Sequence, residues 1–334
     1  MAFGQNFSYI QSKTNYPLLR RRRREKWITM IITKGLTKMY DDVHGIRGID
    51  LTVRDGASLG LLGRNGAGKT TLIRALIGLI KADSGIATVN GLDINADADR
   101  VRKVIGYLPE AYGLYDEMTV YNILDYTARL HRIEAPARKQ RIEELLRTFE
   151  LESYRNMKAG TLSKGLRQKL GFARALVNDP QVIFLDEPTS GLDPIAARSI
   201  ENIVAGLKRQ GKTVLITSHI LPEVEKMCDD IALIKEGRIV VSGRLEDIKR
   251  QYAMPSVIVR LKDHESVGRA MLLLKPMVTG RMEPLDDGLT VYTQDPDSVT
   301  PIVNKALMDA SIPVLEIKRA EESLGDIYFK VLEE

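Results

Sequence analysis

The run Gly63, Arg64, Asn65, Gly66, Ala67, Gly68, Lys69, Thr70 and Thr71 has the residue types to hold a phosphate. From Gly63 to Thr70 it spells G-x-x-x-x-G-K-T. Its glycines let the backbone turn tightly and approach a phosphate without a Cβ clash. Loop N–H groups and the positive end of a following helix then face the anion. Lys69 can reach the β- and γ-phosphates of a nucleotide, and the Thr70 hydroxyl can ligate Mg²⁺. Such a loop is shared by kinases, GTPases and ATPases and does not choose among them.

A second group of residues narrows the choice. Val182 to Leu185 is an apolar run ending in Asp186 and Glu187. Asp186, at the carboxyl end of a strand, can hold Mg²⁺ directly or through water. Glu187 can polarise a water molecule on the γ-phosphate. His219 follows another apolar run, Val214 to Ser218. Strand carboxyl ends line the ligand crevice of a parallel sheet, which singles His219 out. The other histidines, His44, His131 and His264, lack that placement and read as surface or packing residues.

These residues need strands and helices to position them. Ala57–Leu62 reads as a buried strand, and Leu72, Ile73, Ala75, Leu76 and Leu79 recur at helical spacing, predicting a helix to about Ile80. Ile31–Thr33 and Gly48–Val53 read as strands, with Tyr40 in the turn region between them. There Tyr40 can stack on a nucleobase or simply pack half-buried. Gly85–Val89 and Leu92–Ile94 predict a hairpin. Residues 111–178 are mostly helical, with helices marked by Val120 to Leu130, by Ile142 to Phe149 and by Ser163 to Val177. Strand–helix alternation resumes at Val182–Leu185, Pro194–Leu207, Thr213–Thr217 and Pro222–Met227, with Asp193 as the N-cap before Pro194. Ile231–Ile234 and Ile239–Val241 are expected as edge strands.

The expected fold class is α/β: a phosphate-loop NTPase core with an antiparallel β subdomain and a helical insert. From Gly243 the character changes to a β-α-β-β-α-β order with a final helix, a small ferredoxin-like α+β unit. It shows no catalytic constellation and reads as a structural or interaction module. The division is thus 1–29 as a basic, disordered extension, 30–242 as the ATPase domain with its helical insert at 111–178, and 243–334 as the accessory domain.

The chain has 334 residues, 44% hydrophobic and 28% charged, which is ordinary for a globular protein. The single cysteine, Cys228, excludes an internal disulfide and fits a reducing compartment. No apolar run reaches the roughly 18 residues that a bilayer span needs, so any membrane role comes through a partner. The net charge of +5 is concentrated in the first 29 residues, where Lys13, Arg20 to Arg24 and Lys26 outnumber Glu25. The remainder carries −1 and gives no reason to expect nucleic-acid binding. The basic arm lacks the apolar core of a secretory signal. It can be a lipid-contacting tail, a nucleic-acid patch or an upstream extension of the reading frame. Strand-like sequence beginning at Met30 favours the last.

Several motifs together resemble the ATP-binding cassette (ABC) ATPases over about residues 31–245. Leu162-Ser-Lys-Gly-Leu-Arg-Gln168 is similar to their signature sequence. Asp186-Glu-Pro-Thr-Ser-Gly-Leu-Asp193 is similar to their Walker B strand and D-loop, and Thr217-Ser-His219 to their switch histidine. Glu322 to Phe329 resembles the C-terminal end of exporter ATPases whose permease is a separate polypeptide. The resemblance implies ATP hydrolysis with Mg²⁺ held by Thr70, Asp186 and Glu110, and catalysis by Glu187 and His219. It implies that two copies close head to tail, with Ser163, Lys164 and Gly165 of one capping the nucleotide of the other and Asp193 lying across the dimer. Residues 111–118 would receive the permease, placing the chain in the cytoplasm on the inner face of the membrane. Three departures stand out. Leu166 stands at the signature's usual glutamine-like position. Lys164 replaces the first signature glycine, and Glu110 stands where the family has glutamine, so a carboxylate would act there with altered charge. A non-transport ABC ATPase acting on nucleic acid or ribosomes is the alternative. An ATP switch with little turnover and an importer subunit are further ones.

Overall fold

A computed structural model describes residues 29–252, 255–278, 280–320, 324, 325, 327 and 328. The basic arm up to residue 28 lies outside the described residues. β1 (Thr29–Met39) and β2 (Gly45–Arg54) pair antiparallel, and β3 (Ser58–Leu62) is buried along its length. α1 (Lys69–Leu76) follows the glycine loop. It stops short of Ile80 because Gly78 takes a left-handed backbone at φ +68°. β4 (Ser84–Val89) and β5 (Leu92–Asp93) form the expected hairpin. α2 (Ala98–Val104) and β6 (Ile105–Leu108) were not foreseen. α2 buries only Val101, too little for an amphipathic period to appear in the sequence.

The helical insert contains α3 (Val120–Leu130), α4 (Ala135–Thr148) and α5 (Lys164–Ala175). Then come β7 (Val182–Asp186), α6 (Pro194–Arg209), β8 (Thr213–Ser218), α7 (Leu221–Met227), β9 (Asp230–Lys235), β10 (Arg238–Arg244) and α8 (Leu245–Tyr252). β6, β7, β8, β3 and β9 are parallel neighbours in that order, and β10 closes the sheet antiparallel on β9. β9 is therefore an interior strand, which corrects the edge position expected of Ile231–Ile234. Its pairing with β3 on the other side explains why Ile231, Ala232, Leu233 and Ile234 are all fully buried.

This sheet separates two cores. On one face Ile183, Leu185, Val214, Ile216, Ile231 and Leu233 pack with the helical insert, α6 and α7. On the other, Leu59, Leu61, Phe184, Leu215 and Ile234 pack with α1 and the antiparallel sheet of β2, β1, β4 and β5. Each strand thus buries both sets of side chains, at about 1.5–3 kcal/mol per large residue relative to exposure. That is why the strands read as continuous apolar runs rather than alternating ones.

The accessory unit is built from β11 (Ser256–Leu261), α9 (Glu265–Leu274), β12 (Met282–Leu285), β13 (Gly288–Tyr292), α10 (Pro296–Asp309) and β14 (Val314–Ala320). Its all-antiparallel sheet, in the order β12, β13, β11, β14, is that of a ferredoxin-like fold with its own core. Two segments beyond residue 243 pack elsewhere. Leu245 and Ile248 of α8, and Leu324 and Ile327 of the chain's end, belong to the same buried cluster as Val224 and Met227 of α7. The Leu324 N–H also donates to Glu225 Oε1 at 2.7 Å, and Lys249 pairs with Glu225 at 3.0 Å. The last segment thus returns to the ATPase core. Leu324→Ala is expected to lower the unfolding free energy by about 2–5 kcal/mol, through lost burial and the cavity left behind. Denaturant unfolding of the full chain measures it, and an unchanged midpoint would show that this return contributes nothing.

Candidate nucleotide-binding site

The carboxyl ends of β3, β7 and β8 share one edge of the sheet. Leu62 lies opposite Ser218, and Asp186 opposite Thr217. Each strand therefore releases its functional residue at the same level: the glycine loop after Leu62, Glu187 after Asp186, His219 after Ser218. The loop is clasped from both sides. A Cβ on Gly63 would lie 2.6 Å from the Ile234 carbonyl oxygen. At Gly68, φ is +108° and a Cβ would lie 2.9 Å from the Gly45 carbonyl oxygen. No other residue fits either position. Between them Arg64, Asn65 and Gly66 are exposed and Ala67 is buried, and beyond them Thr70 and Thr71 are half-buried.

Lys69 is 7% exposed, and its ammonium donates to the Gly63 carbonyl at 2.7 Å. It lies 3.8 Å from Glu187 Oε1. Glu187 Oε2 is 2.7 Å from His219 Nδ1. An ionised carboxylate only accepts, so Nδ1 carries the proton of that bond. Glu187 has the left-handed backbone angle φ +48°, a strain of order 1–3 kcal/mol of the kind that gathers at active sites. Its N–H donates to Thr217 Oγ1 at 3.0 Å, and the same hydroxyl donates to Asp186 Oδ1 at 2.6 Å. Thr217 is thus the brace between the two carboxylates, a role the sequence reading did not give it. The signal was available in the register, since Thr217 lies directly across from Asp186. Tyr107 on β6 was also missed. Burial, reinforced by the charge of Asp186, pushes its phenol up to about 12, so it stays neutral beside that carboxylate.

The other predicted residues stand around this cluster. Tyr40 is exposed in the turn between β1 and β2, next to the segment whose Gly45 carbonyl abuts Gly68. Glu110 is exposed, just past the end of β6 and beside β7. Ser163 caps α5, its hydroxyl accepting from the Leu166 N–H. Ser163 and Lys164 are exposed, and Gly165 is half-buried. The exposed Lys164 side chain lies over Gly191, where an added Cβ would meet its ammonium at 2.3 Å. Asp193 caps α6, accepting from the Ile195 and Ala196 N–H groups at 2.9 Å each.

Comparison with known proteins decides the family. Residues 46–190 match the family model described as "ABC transporter". The chain is 40% identical over 224 residues to the ABC transporter ATP-binding protein NatA of Bacillus subtilis, covering 66% of this chain and 91% of that one. This chain belongs to the ABC transporter ATP-binding proteins. It is 32% identical over 302 residues to Nod factor export ATP-binding protein I of Ralstonia nicotianae, covering 90% of this chain and 93% of that protein. Among solved structures it resembles the dimeric post-hydrolysis state of the ATP-binding cassette MJ0796 bound to ADP and Pi, with a TM-score of 0.60 and 26% identity over 65% of this chain and 99% of that one. The chain is accordingly an ATPase subunit of an ABC transporter. Among the described residues no helix is long and apolar enough to cross a membrane.

Thr217→Val keeps the shape and removes the hydroxyl, leaving the Asp186 oxygen and the Glu187 N–H without it. An expected loss of about 1–3 kcal/mol in unfolding free energy follows from the buried Asp186 oxygen losing its donor, while the Glu187 N–H keeps the Thr217 carbonyl at 3.2 Å. Urea unfolding tests it.

Proposed function

We propose that this chain powers export through a separate membrane permease, working as a dimer on the cytoplasmic face of the membrane. The observation that carries the reading is the cluster of Lys69, Glu187 and His219 at one sheet edge, with Glu187 3.8 Å from Lys69 and 2.7 Å from His219. A loop that only bound a nucleotide would not need a carboxylate held beside its lysine. In this reading Lys69 and the loop amides of Gly66 to Thr71 bind the β- and γ-phosphates, and Tyr40 stacks on the base. Glu187 orients a water molecule and accepts its proton as the water oxygen bonds to the γ-phosphorus and the bridge to the β-phosphate breaks. His219 holds Glu187 and reaches the γ-phosphate.

The residues present suit Mg²⁺. Asp186 is a buried carboxylate already oriented by Thr217, and Thr70 opens α1 half-buried. One carboxylate, one hydroxyl and the substrate's phosphates are the hard oxygen donors this ion takes. When bound it supplies charge neutralisation to the phosphates. Glu110, exposed at the neighbouring strand end, would ligate the ion or hold a water molecule beside it.

The dimer reading rests on the MJ0796 likeness and on an exposed signature. Ser163 opens a twelve-residue helix, so its N–H groups and dipole suit the γ-phosphate of a second copy. Asp193, exposed beside the 84%-exposed Ile195, lies across that contact. The permease reading rests on residues 111–118, where Tyr115 is 58% exposed and meets Tyr126 edge-on at 5.9 Å. Exposed Tyr126 and Leu130 extend this apolar face. The export direction rests on the Nod factor export relative, which this chain matches along 90% of its length, accessory unit included.

Glu187→Gln is expected to bind ATP but lose turnover, accumulating a long-lived dimer on size-exclusion chromatography with ATP. Wild-type hydrolysis by this variant would remove Glu187 from the role of base. Lys69→Ala is expected to weaken ATP binding by about tenfold or more, since a charge-assisted contact to phosphate is worth roughly 1.5–3 kcal/mol. Equal affinity in a calorimetric titration would contradict the placement of the phosphates.

A further inference from the structure

We infer that Gln168 is a positioning residue that fixes the loop bearing Glu187 to the signature helix. The inference rests on the proposed roles of Glu187 and Ser163. Gln168 lies on α5, five residues after Ser163, and is 1% exposed. Its Nε2 donates to the carbonyl of Pro188, the residue directly after Glu187. Its Oε1 is buried without a hydrogen-bond partner.

That half-satisfied amide is informative. A buried amide oxygen without a partner is unfavourable, and an apolar side chain of the same volume would avoid it. The residue therefore does something an apolar one cannot, and the bond to Pro188 is what it does. Pro188 has no N–H, so its carbonyl is the polar backbone group this residue can offer. Next to it, the Glu187 backbone is held left-handed by its bonds to Thr217 Oγ1 and the Thr217 carbonyl. Gln168 supplies a clamp beside that strained residue from a different element, since Thr217 is on β8 and Gln168 on α5.

α5 grips the same loop at its first turn. The Lys164 ammonium rests on Gly191, and the position of a Gly165 Cβ would lie 3.7 Å from Ala196 at the start of α6. One helix therefore presents Ser163 outward, toward a second copy, and holds Glu187 inward, toward the chain's own nucleotide. Through Gln168 the capping element of one site and the base of the other are parts of one rigid body. When a partner's nucleotide draws the signature into place, the Glu187 loop moves with it.

The test uses the full chain with two substitutions. Gln168→Met keeps the volume and removes the donor. Gln168→His keeps an N–H donor. In Gln168→Met one unpaired acceptor, Oε1, is exchanged for another, the Pro188 carbonyl, so the melting temperature is expected to stay within a few degrees of wild type. Its kcat for MgATP is expected to fall roughly 10- to 100-fold, the scale of an ångström-level misplacement, with KM unchanged. Gln168→His is expected to retain more of kcat than Gln168→Met. Unchanged kcat in Gln168→Met, equal losses in both variants, or losses that track the folded fraction would overturn the inference. Glu187→Gln, assayed alongside, separates the two levels. Wild-type turnover by that variant overturns the reading of the site and this inference with it. An inactive Glu187→Gln beside an unimpaired Gln168→Met overturns the inference alone.

Discussion

The shared register of β3, β7 and β8 is the constraint from which the site follows. Parallel pairing sets Leu62 against Ser218 and Asp186 against Thr217. The three segments that leave these strands then emerge side by side, though they lie far apart in the chain. A slip of one residue in β8 would take Thr217 away from Asp186 and set Ile216 or Ser218 opposite it. Both faces of this sheet are buried, so such a slip would also exchange the side chains between the two cores. The geometry of the cluster is thus specified by the same packing that holds the domain together.

The charges gathered there are costly. Lys69 and Glu187 have side chains only 7% and 9% exposed, and Asp186 is 3% exposed. Desolvating such groups is expensive unless each is paired and hydrogen-bonded. Lys69 has the Gly63 carbonyl and Glu187, Glu187 has His219, and Asp186 has Thr217. These contacts make the cluster tolerable and hold it in one arrangement. Each member is held by a neighbour from a different strand or loop, so the arrangement exists only when the sheet is formed. The strain of Glu187 is small against a domain stability of about 5–15 kcal/mol, which lets the fold sustain it.

The features legible from sequence were those in which one stretch carries both chemistry and context. The glycine loop announces its strand and helix by apolar spacing, and Asp186–Glu187 ends a run of four apolar residues. The accessory unit's strand and helix order was also readable, because its largely apolar runs, such as Val257 to Leu261 and Leu289 to Tyr292, are separated by stretches of helical spacing. What escaped depends on register or on distance in the chain. Thr217 is an unremarkable strand threonine until Asp186 is placed beside it. Gln168 looks like any polar helix residue until its burial is known. β9 reads as an edge strand because sequence neighbours suggest pairing with β10, while its second partner, β3, lies far upstream. α2 and β6 are too short for a period to appear.

The end of the chain shows the same dependence on long-range packing, with a consequence for how the accessory unit is tied in. Leu324 and Ile327 are fully buried beside Val224 and Met227 of α7, the helix that begins directly after His219 and Ile220. Tyr328 packs half-buried against that cluster. Burial raises its phenol, and the nearby positive charge of Arg64, in the glycine loop, opposes the rise. The chain thus leaves the core through α8, builds the ferredoxin-like sheet, and comes back between the support of His219 and the rim of the phosphate loop. A unit attached at one point would be free to swing. One attached at both ends is held, at its second attachment, against α7, the helix that begins two residues after His219.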